Sequence, residues 1–79
     1  MQIILEVTLT NRSKTITGKD HQDVANQFFA DFGEASHEVT FCKLYEVDRP
    51  TEFASFGGNE TCIKSLKHLK QGIMPGEKL

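Results

Sequence analysis

Hydrophobic and polar residues alternate at the beginning of the chain. In QIILEVTLT, residues 2–10, every second residue from Ile3 to Leu9 is apolar, and only Ile4 breaks the alternation. A period of two predicts a half-buried strand. The short β-branched segment KTIT follows after NRS, so we predict a β-hairpin over residues 1–17.

The next segment, GKDHQDVANQFFADFG, has the periodicity of a helix. Its apolar residues fall on one stripe at helical spacing: Val24, Ala25, Phe28, Phe29 and Phe32. Asp20 is a candidate N-cap, Asp23 lies three residues later as in a capping box, and Gly33 is a suitable helix end. We therefore predict a helix over 20–33 whose outer face is acidic to neutral and includes Asp31.

The second half of the chain predicts another hairpin and another helix. HEVTFCKLYEV and EFASF are strand-like and are joined by the turn sequence DRPT, which gives a hairpin over 37–56. After GGN, Asn59 is the predicted N-cap of a helix over 59–73, and residues 74–79 are predicted to be a frayed tail. No internal sequence repeat is present.

Together these elements predict the fold class. The chain should form a single α+β domain with elements in the order ββαββα. Its sheet is expected to be four-stranded and mainly antiparallel, with both helices on one face.

Composition narrows the functional classes. A chain of 79 residues is long enough for one domain with a small core. The two cysteines do not form the dense framework of a secreted domain, and the amino terminus lacks the features of a signal peptide, so a cytosolic location is expected. The net charge is −2, and residues 20–60 form an acidic block with nine acidic residues.

The second predicted helix carries a basic cluster. Lys64, Lys67, His68 and Lys70 all lie within NETCIKSLKHLKQ. They could contact phosphates, or they could form the solvated side of a packed helix, whose carboxyl end favours cations. The sequence pI of about 5.8 favours the second interpretation, because nucleic-acid-binding domains usually have a pI above ~9.

Metal binding and catalysis have weak candidates. His37, Cys42, Cys62 and His68 are possible zinc ligands. However, His37 and Cys42 are five residues apart on a strand, and Cys62 and His68 are six apart on a helix, so the side chains of each pair point to different sides. Both cysteines are predicted to be buried and unreactive, and His21 is predicted to lie in the solvent-exposed first turn of a helix. We expect no metal, no cofactor and no catalytic activity.

The third predicted strand is apolar on both faces. Phe41, Lys43 and Tyr45 share one parity with Val39 and Val47, whereas Cys42 and Leu44 have the other parity. The pattern leaves three arrangements open: either set faces the helices, or a β-bulge switches the parity partway. If Cys42 and Leu44 face the helices, the open face of the sheet bears three aromatic residues, because Phe53 of the fourth strand joins Phe41 and Tyr45.

An aromatic patch of this kind would indicate a partner. The leading hypothesis is a non-catalytic, cytosolic protein-binding module that acts by occupying the surface of another protein. Its contact residues would be Phe41, Lys43, Tyr45 and Phe53, and its charged rim would be Asp20, Asp23, Asp31 or Glu34. The acidic block would suit a nucleic-acid-binding complex as the partner. A homodimer is the other possibility.

The size, the α+β order and the acidic middle are similar to those of many small phage-encoded proteins that block a host or defence complex, anti-CRISPR proteins among them. This resemblance is one of class, and it assigns no residue. The alternative hypothesis is a small RNA- or DNA-binding accessory domain. In that case the open-face aromatics stack on bases, while Lys43, Lys64, Lys67, His68 and Lys70 contact phosphates.

Overall fold

The computed structural model describes residues 2–33, 37–47 and 52–73 and contains one sheet covered by two helices. The elements are β1 (Ile3–Leu9), β2 (Ser13–Gly18), α1 (His21–Phe32), β3 (Val39–Glu46), β4 (Glu52–Gly57) and α2 (Asn59–Lys70). The predicted α+β class and the ββαββα order are therefore confirmed. The predicted DRPT turn and the predicted 74–79 tail lie outside the described residues.

The sheet has the strand order β2-β1-β3-β4, and all neighbouring strands are antiparallel. Each hairpin and the helix that follows it form a ββα unit, and β1 and β3 join the two units at the centre. Helix α1 packs on β1 and β2, and α2 packs on β3 and β4. The two helices also contact each other, so together they form a layer over one face of the sheet.

The core lies between the sheet and the helices. In β1 the alternating residues Ile3, Leu5, Val7 and Leu9 are all buried, as their period predicts. The helices contribute Val24, Ala25, Phe28, Phe29, Cys62, Leu66 and Leu69. The Phe28 ring lies 5.0 Å, centroid to centroid, from both the Phe29 and the Phe32 rings. Burial of such side chains contributes about 1.5–3 kcal/mol each to folding.

Helix α1 begins and ends as its sequence predicts. The Asp20 carboxylate accepts a hydrogen bond from the Asp23 amide at 2.7 Å, which satisfies one of the free N–H groups of the first turn. At the other end the Gly33 amide donates to the Phe29 carbonyl at 2.9 Å. These contacts are local in sequence, so a local pattern was sufficient to predict them.

Helix α2 begins differently from the prediction. Its N-cap is Gly58, with φ 90° and ψ 144°, and Asn59 is the first helical residue. The prediction that Asn59 is the N-cap is therefore wrong. Instead, the Asn59 side-chain amide donates a hydrogen bond to the Val39 carbonyl at 2.9 Å. Asn59 thus connects α2 to β3 across 20 residues of sequence.

Helix α2 also ends earlier than predicted, at Lys70. Gly72 has φ 88°, its amide donates to the Leu69 carbonyl at 2.9 Å, and the Ile73 amide donates to the His68 carbonyl at 2.8 Å. This is the hydrogen-bond pattern of a Schellman motif, in which glycine adopts the left-handed conformation after the last turn. Residues 71–73 are therefore the cap of the helix rather than its last turn.

Candidate partner-binding site

The burial of β3 shows which of its faces meets the helices. Cys42 and Leu44 are completely buried, whereas Phe41, Lys43 and Tyr45 are half-buried. Because successive side chains of a strand point to opposite faces, the second set lies on the face without helices. Between Phe41 and Tyr45, therefore, Cys42 and Leu44 face the helices and the aromatic set lies on the open face, which is one of the arrangements that the sequence left open.

A β-bulge excludes Val39 from this face. Leu9 pairs with Val39 and Thr8 pairs with Phe41, so Thr40 is an extra residue in β3. The parity switches at that point, and Val39 is completely buried on the helix side. The grouping of Val39 with Phe41 and Tyr45, suggested by a strict period of two, is therefore wrong.

Phe41 lies over a glycine of the neighbouring strand. Gly57 is directly opposite Phe41, and a Cβ atom built on Gly57 would be 3.6 Å from the Cδ1 and Cε1 atoms of the ring. The Lys43 ammonium nitrogen lies 5.8 Å from the centroid of the same ring. The ring thus rests between the β4 backbone and a cation, which gives it a defined position on the open face.

Two apolar residues extend this surface. Ile4 of β1 is directly opposite Tyr45, and Val47 continues the alternation of β3 and is 47% exposed. We call Ile4, Phe41, Lys43, Tyr45 and Val47 the open-face patch. The sequence signal for Ile4 was present, since it is the residue that breaks the alternation of β1.

Polar residues border the patch on the β1 and β2 side. Glu6 is directly opposite Lys43, and Thr8 is directly opposite Phe41. On β2, Thr15 and Thr17 occupy the same face and are exposed. Aromatic and aliphatic side chains with Lys43 among them and polar residues beside them match the mixed composition of protein-binding surfaces.

Phe53 and Glu34 cannot be placed in this patch. The backbone of Phe53 belongs to β4, and a register shift between Leu44 and Tyr45 leaves Phe53 without a partner in β3. Its side chain lies outside the described part of the structure. Glu34 is also outside the described residues.

The predicted acidic rim lies on the helix layer. Asp20 caps α1, and the Asp23 carboxylate accepts a hydrogen bond from the Lys19 amide at 3.0 Å. Asp31 forms an ion pair with Lys14 of β2 at 2.7 Å. The structure thus brings Phe41, Lys43 and Tyr45 together but places these aspartates on the other side of the sheet.

The basic residues of α2 do not form one continuous surface. Lys64 and Lys67 are exposed and His68 is half-buried on the outer side of the helix. Lys70 is directed elsewhere, since its ammonium nitrogen lies 5.4 Å from the centroid of the Phe29 ring in α1. Of the predicted basic cluster, only Lys64, Lys67 and His68 therefore share the outer side of α2.

The two cysteines meet in the core. Phe56 is directly opposite Cys42 in the sheet, and the Cys62 thiol donates to the Phe56 carbonyl at 3.2 Å. A hydrogen bond with Cys62, together with burial, raises the pKa of the Cys42 thiol. Both thiols are completely buried, so neither is placed to act as a nucleophile.

His21 is buried, so the prediction that it lies at a solvent-exposed helix end is wrong. It is only 6% exposed, and burial lowers its pKa, although Glu46 and Asp20 oppose this effect. Within the described residues, no group of three or more His, Cys, Asp or Glu side chains is placed to hold a metal ion.

No family model, curated protein or solved structure matches the chain. Neither described helix is long and apolar enough to cross a membrane. The functional proposal therefore rests on the geometry of the site.

Proposed function

We propose that the protein is a small, non-catalytic binding module that acts by occupying the surface of another protein through the open-face patch. One observation carries the proposal: the helices cover one face of the sheet and leave Ile4, Phe41 and Tyr45 half-buried on the other. Ile4 and Tyr45 are cross-strand neighbours, Phe41 lies beyond Lys43 on β3, and Val47 is exposed. Apolar surface that the fold itself does not cover is typical of an interaction site.

The patch is preformed. Phe41 rests on Gly57, and Tyr45 and Ile4 are cross-strand neighbours in the two central strands. Aromatic side chains on a rigid sheet lose little conformational entropy on binding, which makes them efficient anchors. Phe41 and Tyr45 are therefore the proposed anchors, and Val47 is the exposed end of the contact.

Charge favours a basic partner. The net charge of −2 would attract such a partner at long range, although the aspartates of α1 do not border the patch. A protein that itself binds nucleic acid fits this requirement. Blocking a host or defence complex, as small phage-encoded inhibitors do, is the proposed biological role, with a location in the cytoplasm.

The nucleic-acid hypothesis has less geometric support. It requires Phe41 and Tyr45 to stack on bases while Lys43 and the basic residues of α2 contact the backbone of the same strand. Lys43 lies with the aromatics on the open face, but Lys64 and Lys67 lie on the outer side of α2, beyond the sheet and the core. Since no single surface holds both sets, we favour a protein partner.

The test is capture of partners by the immobilised protein from a cell lysate, with mass spectrometry, in the presence and absence of nuclease. The affected variants are Phe41→Ala/Tyr45→Ala and, because Phe41 also supports the fold, Tyr45→Ala/Val47→Ser. Loss of a patch anchor should weaken binding at least about tenfold. The matched control is Asn26→Ala/Thr61→Ala, at exposed positions on the helix layer and away from the patch.

Nuclease-resistant partners that both patch variants lose and the control retains would support the proposal. Partners retained equally by folded patch variants would refute it, and partners lost on nuclease treatment would favour nucleic acid. Sedimentation of the isolated protein over a concentration series checks the homodimer alternative, in which the same variants would abolish self-association.

A further inference from the structure

The outer side of α2 borders a groove of about 450 Å³. Its lining includes His37, Glu60, Ile63, Lys64, Lys67 and His68. All but His37 belong to α2 or to its carboxyl cap. The volume is within the range of small-molecule sites, which is roughly 300–1,000 Å³.

Two lysines of the groove form no ion pair within the described part of the chain. Lys64 and Lys67 are one helical turn apart and exposed, and neither forms an ion pair with a described residue. By contrast, Lys14 pairs with Asp31, and the Lys43 and Lys70 ammonium groups lie over aromatic rings. Lys64 and Lys67 are therefore available to an external anion.

The groove is also lined by an aliphatic side chain and by two histidine rings. Ile63 is half-buried and packs against the core, so it forms an apolar floor. His37 approaches from the segment before β3, and His68 lies one turn from Lys64 on α2. Glu60 is the acidic member of the lining and would repel an anion at the amino-terminal end. The cationic end is therefore at Lys64 and Lys67.

We propose that this groove binds a phosphorylated small molecule with a planar or apolar group, of the nucleotide class. Lysine is a point-charge phosphate ligand, whereas carboxylates are commonly bound by the fork of arginine, and none of the lining residues is an arginine. Lys64 and Lys67 contact the phosphate, and the planar group lies on Ile63 between the histidines.

A long polyanion is a poorer match for the groove. The net charge of the chain is negative, and Lys70, which would have extended the basic surface along α2, lies over Phe29. A small ligand meets only the local positive charge, whereas each further phosphate of a polymer would need another cation.

The experiment is an NMR titration of the full chain at low salt with AMP, adenosine, inorganic phosphate and a single-stranded oligonucleotide. We expect AMP at millimolar concentration to shift amide resonances of residues 59–71. Adenosine and inorganic phosphate should each bind about tenfold more weakly than AMP, because each lacks one half of the recognised structure.

Lys64→Gln/Lys67→Gln should weaken AMP binding at least about tenfold. The control Arg12→Gln/Lys19→Gln changes the net charge equally but lies outside the groove, and it should leave binding unchanged. Both pairs are at exposed positions, and a thermal melt checks that each variant is folded.

Four outcomes would overturn the proposal. They are the absence of shifts with AMP, equal affinity for AMP and inorganic phosphate, equal weakening by both variant pairs, and an affinity for the oligonucleotide far above that for AMP. The last result would make α2 a nucleic-acid surface. The first three do not bear on the open-face patch, and in the fourth the shifted resonances show whether the oligonucleotide contacts α2 or that patch, so the failures of the two proposals can be told apart.

Discussion

The ring of Phe41 lies across the main chain of Gly57, its partner in the adjacent strand. Gly57 belongs to β4, an edge strand, where a residue without a side chain leaves the backbone uncovered. An aromatic ring on the neighbouring strand can cover such a glycine. This contact explains how Phe41 can be half-buried on a sheet face that carries no helix.

The neighbouring glycines 57 and 58 should respond differently to alanine. In Gly57→Ala the new methyl group would meet the Phe41 ring at an ordinary contact distance of 3.6 Å, so stability should be unchanged or rise by up to about 1 kcal/mol. Gly58 has φ 90°, which strains any L-residue, so Gly58→Ala should lose about 1–3 kcal/mol. Urea unfolding measures both values.

Each glycine variant is the control for the other, since the added group is the same. Equal losses at both positions would mean that Phe41 does not rest on Gly57 as described, and a tolerated Gly58→Ala would contradict the backbone conformation at the start of α2.

Asn59 should act as a hydrogen-bond donor to β3 rather than as a helix cap. Asn59→Ala removes the hydrogen bond to the Val39 carbonyl and should cost about 1 kcal/mol. Asn59→Asp should cost more, because a carboxylate cannot donate to a carbonyl oxygen. A true N-cap would accept aspartate without loss, so unchanged stability of Asn59→Asp in chemical unfolding would contradict this role.

His21 should make the protein less stable as the pH falls below neutrality. Burial lowers its pKa below the ordinary value of 6.5, while Glu46 and Asp20 oppose the shift without reversing it. The unfolded chain therefore binds the proton more readily, and stability is lost from about pH 6.5 down to the pKa of the folded state. Unfolding free energies measured between neutral pH and about pH 5 give this slope.

His21→Gln should flatten that slope, whatever it does to the absolute stability. His37→Gln is the matched control, because it removes a histidine from an exposed position. An identical slope in wild type and His21→Gln would show that His21 is not the titrating group.

The two cysteines should be unreactive in the folded protein. Both are completely buried, and a hydrogen bond with Cys62 together with burial raises the pKa of Cys42. The same hydrogen bond lowers the pKa of Cys62, so the prediction for that residue rests on its burial. Because a reagent cannot reach a buried thiol, neither residue should be labelled in native buffer, and both should be labelled in denaturant. Rapid labelling of one thiol in the native state would contradict this packing.

The elements that the sequence predicted correctly depend on contacts between near neighbours in the chain. The alternation of β1 corresponds to its buried residues, and α1 is capped by Asp20 and Gly33 within a few residues of their partners. The N-cap of α2 was predicted wrongly because Asn59 bonds to Val39, 20 residues earlier in the chain. No local rule includes such a partner.

The candidate site could be predicted only in part. Phe41, Lys43 and Tyr45 were identified as one set, but their exposure depended on which face of β3 the helices cover. The charged rim was predicted from composition, and the structure uses those aspartates in a cap and an ion pair on the helix layer. Parity already grouped Val47 with this set, whereas Ile4 became part of the patch only when the strand register placed it opposite Tyr45.

The sequence by itself determined the number, type and order of the elements, because hydrophobic period and capping residues act within a few residues. Only the tertiary structure decided which face of β3 is covered. That strand is apolar on both faces, so its orientation depends on the bulge at Thr40 and on the packing of the helix layer, which buries Cys42 and Leu44. These contacts join distant parts of the chain, and they leave Phe41 and Tyr45 on the open face.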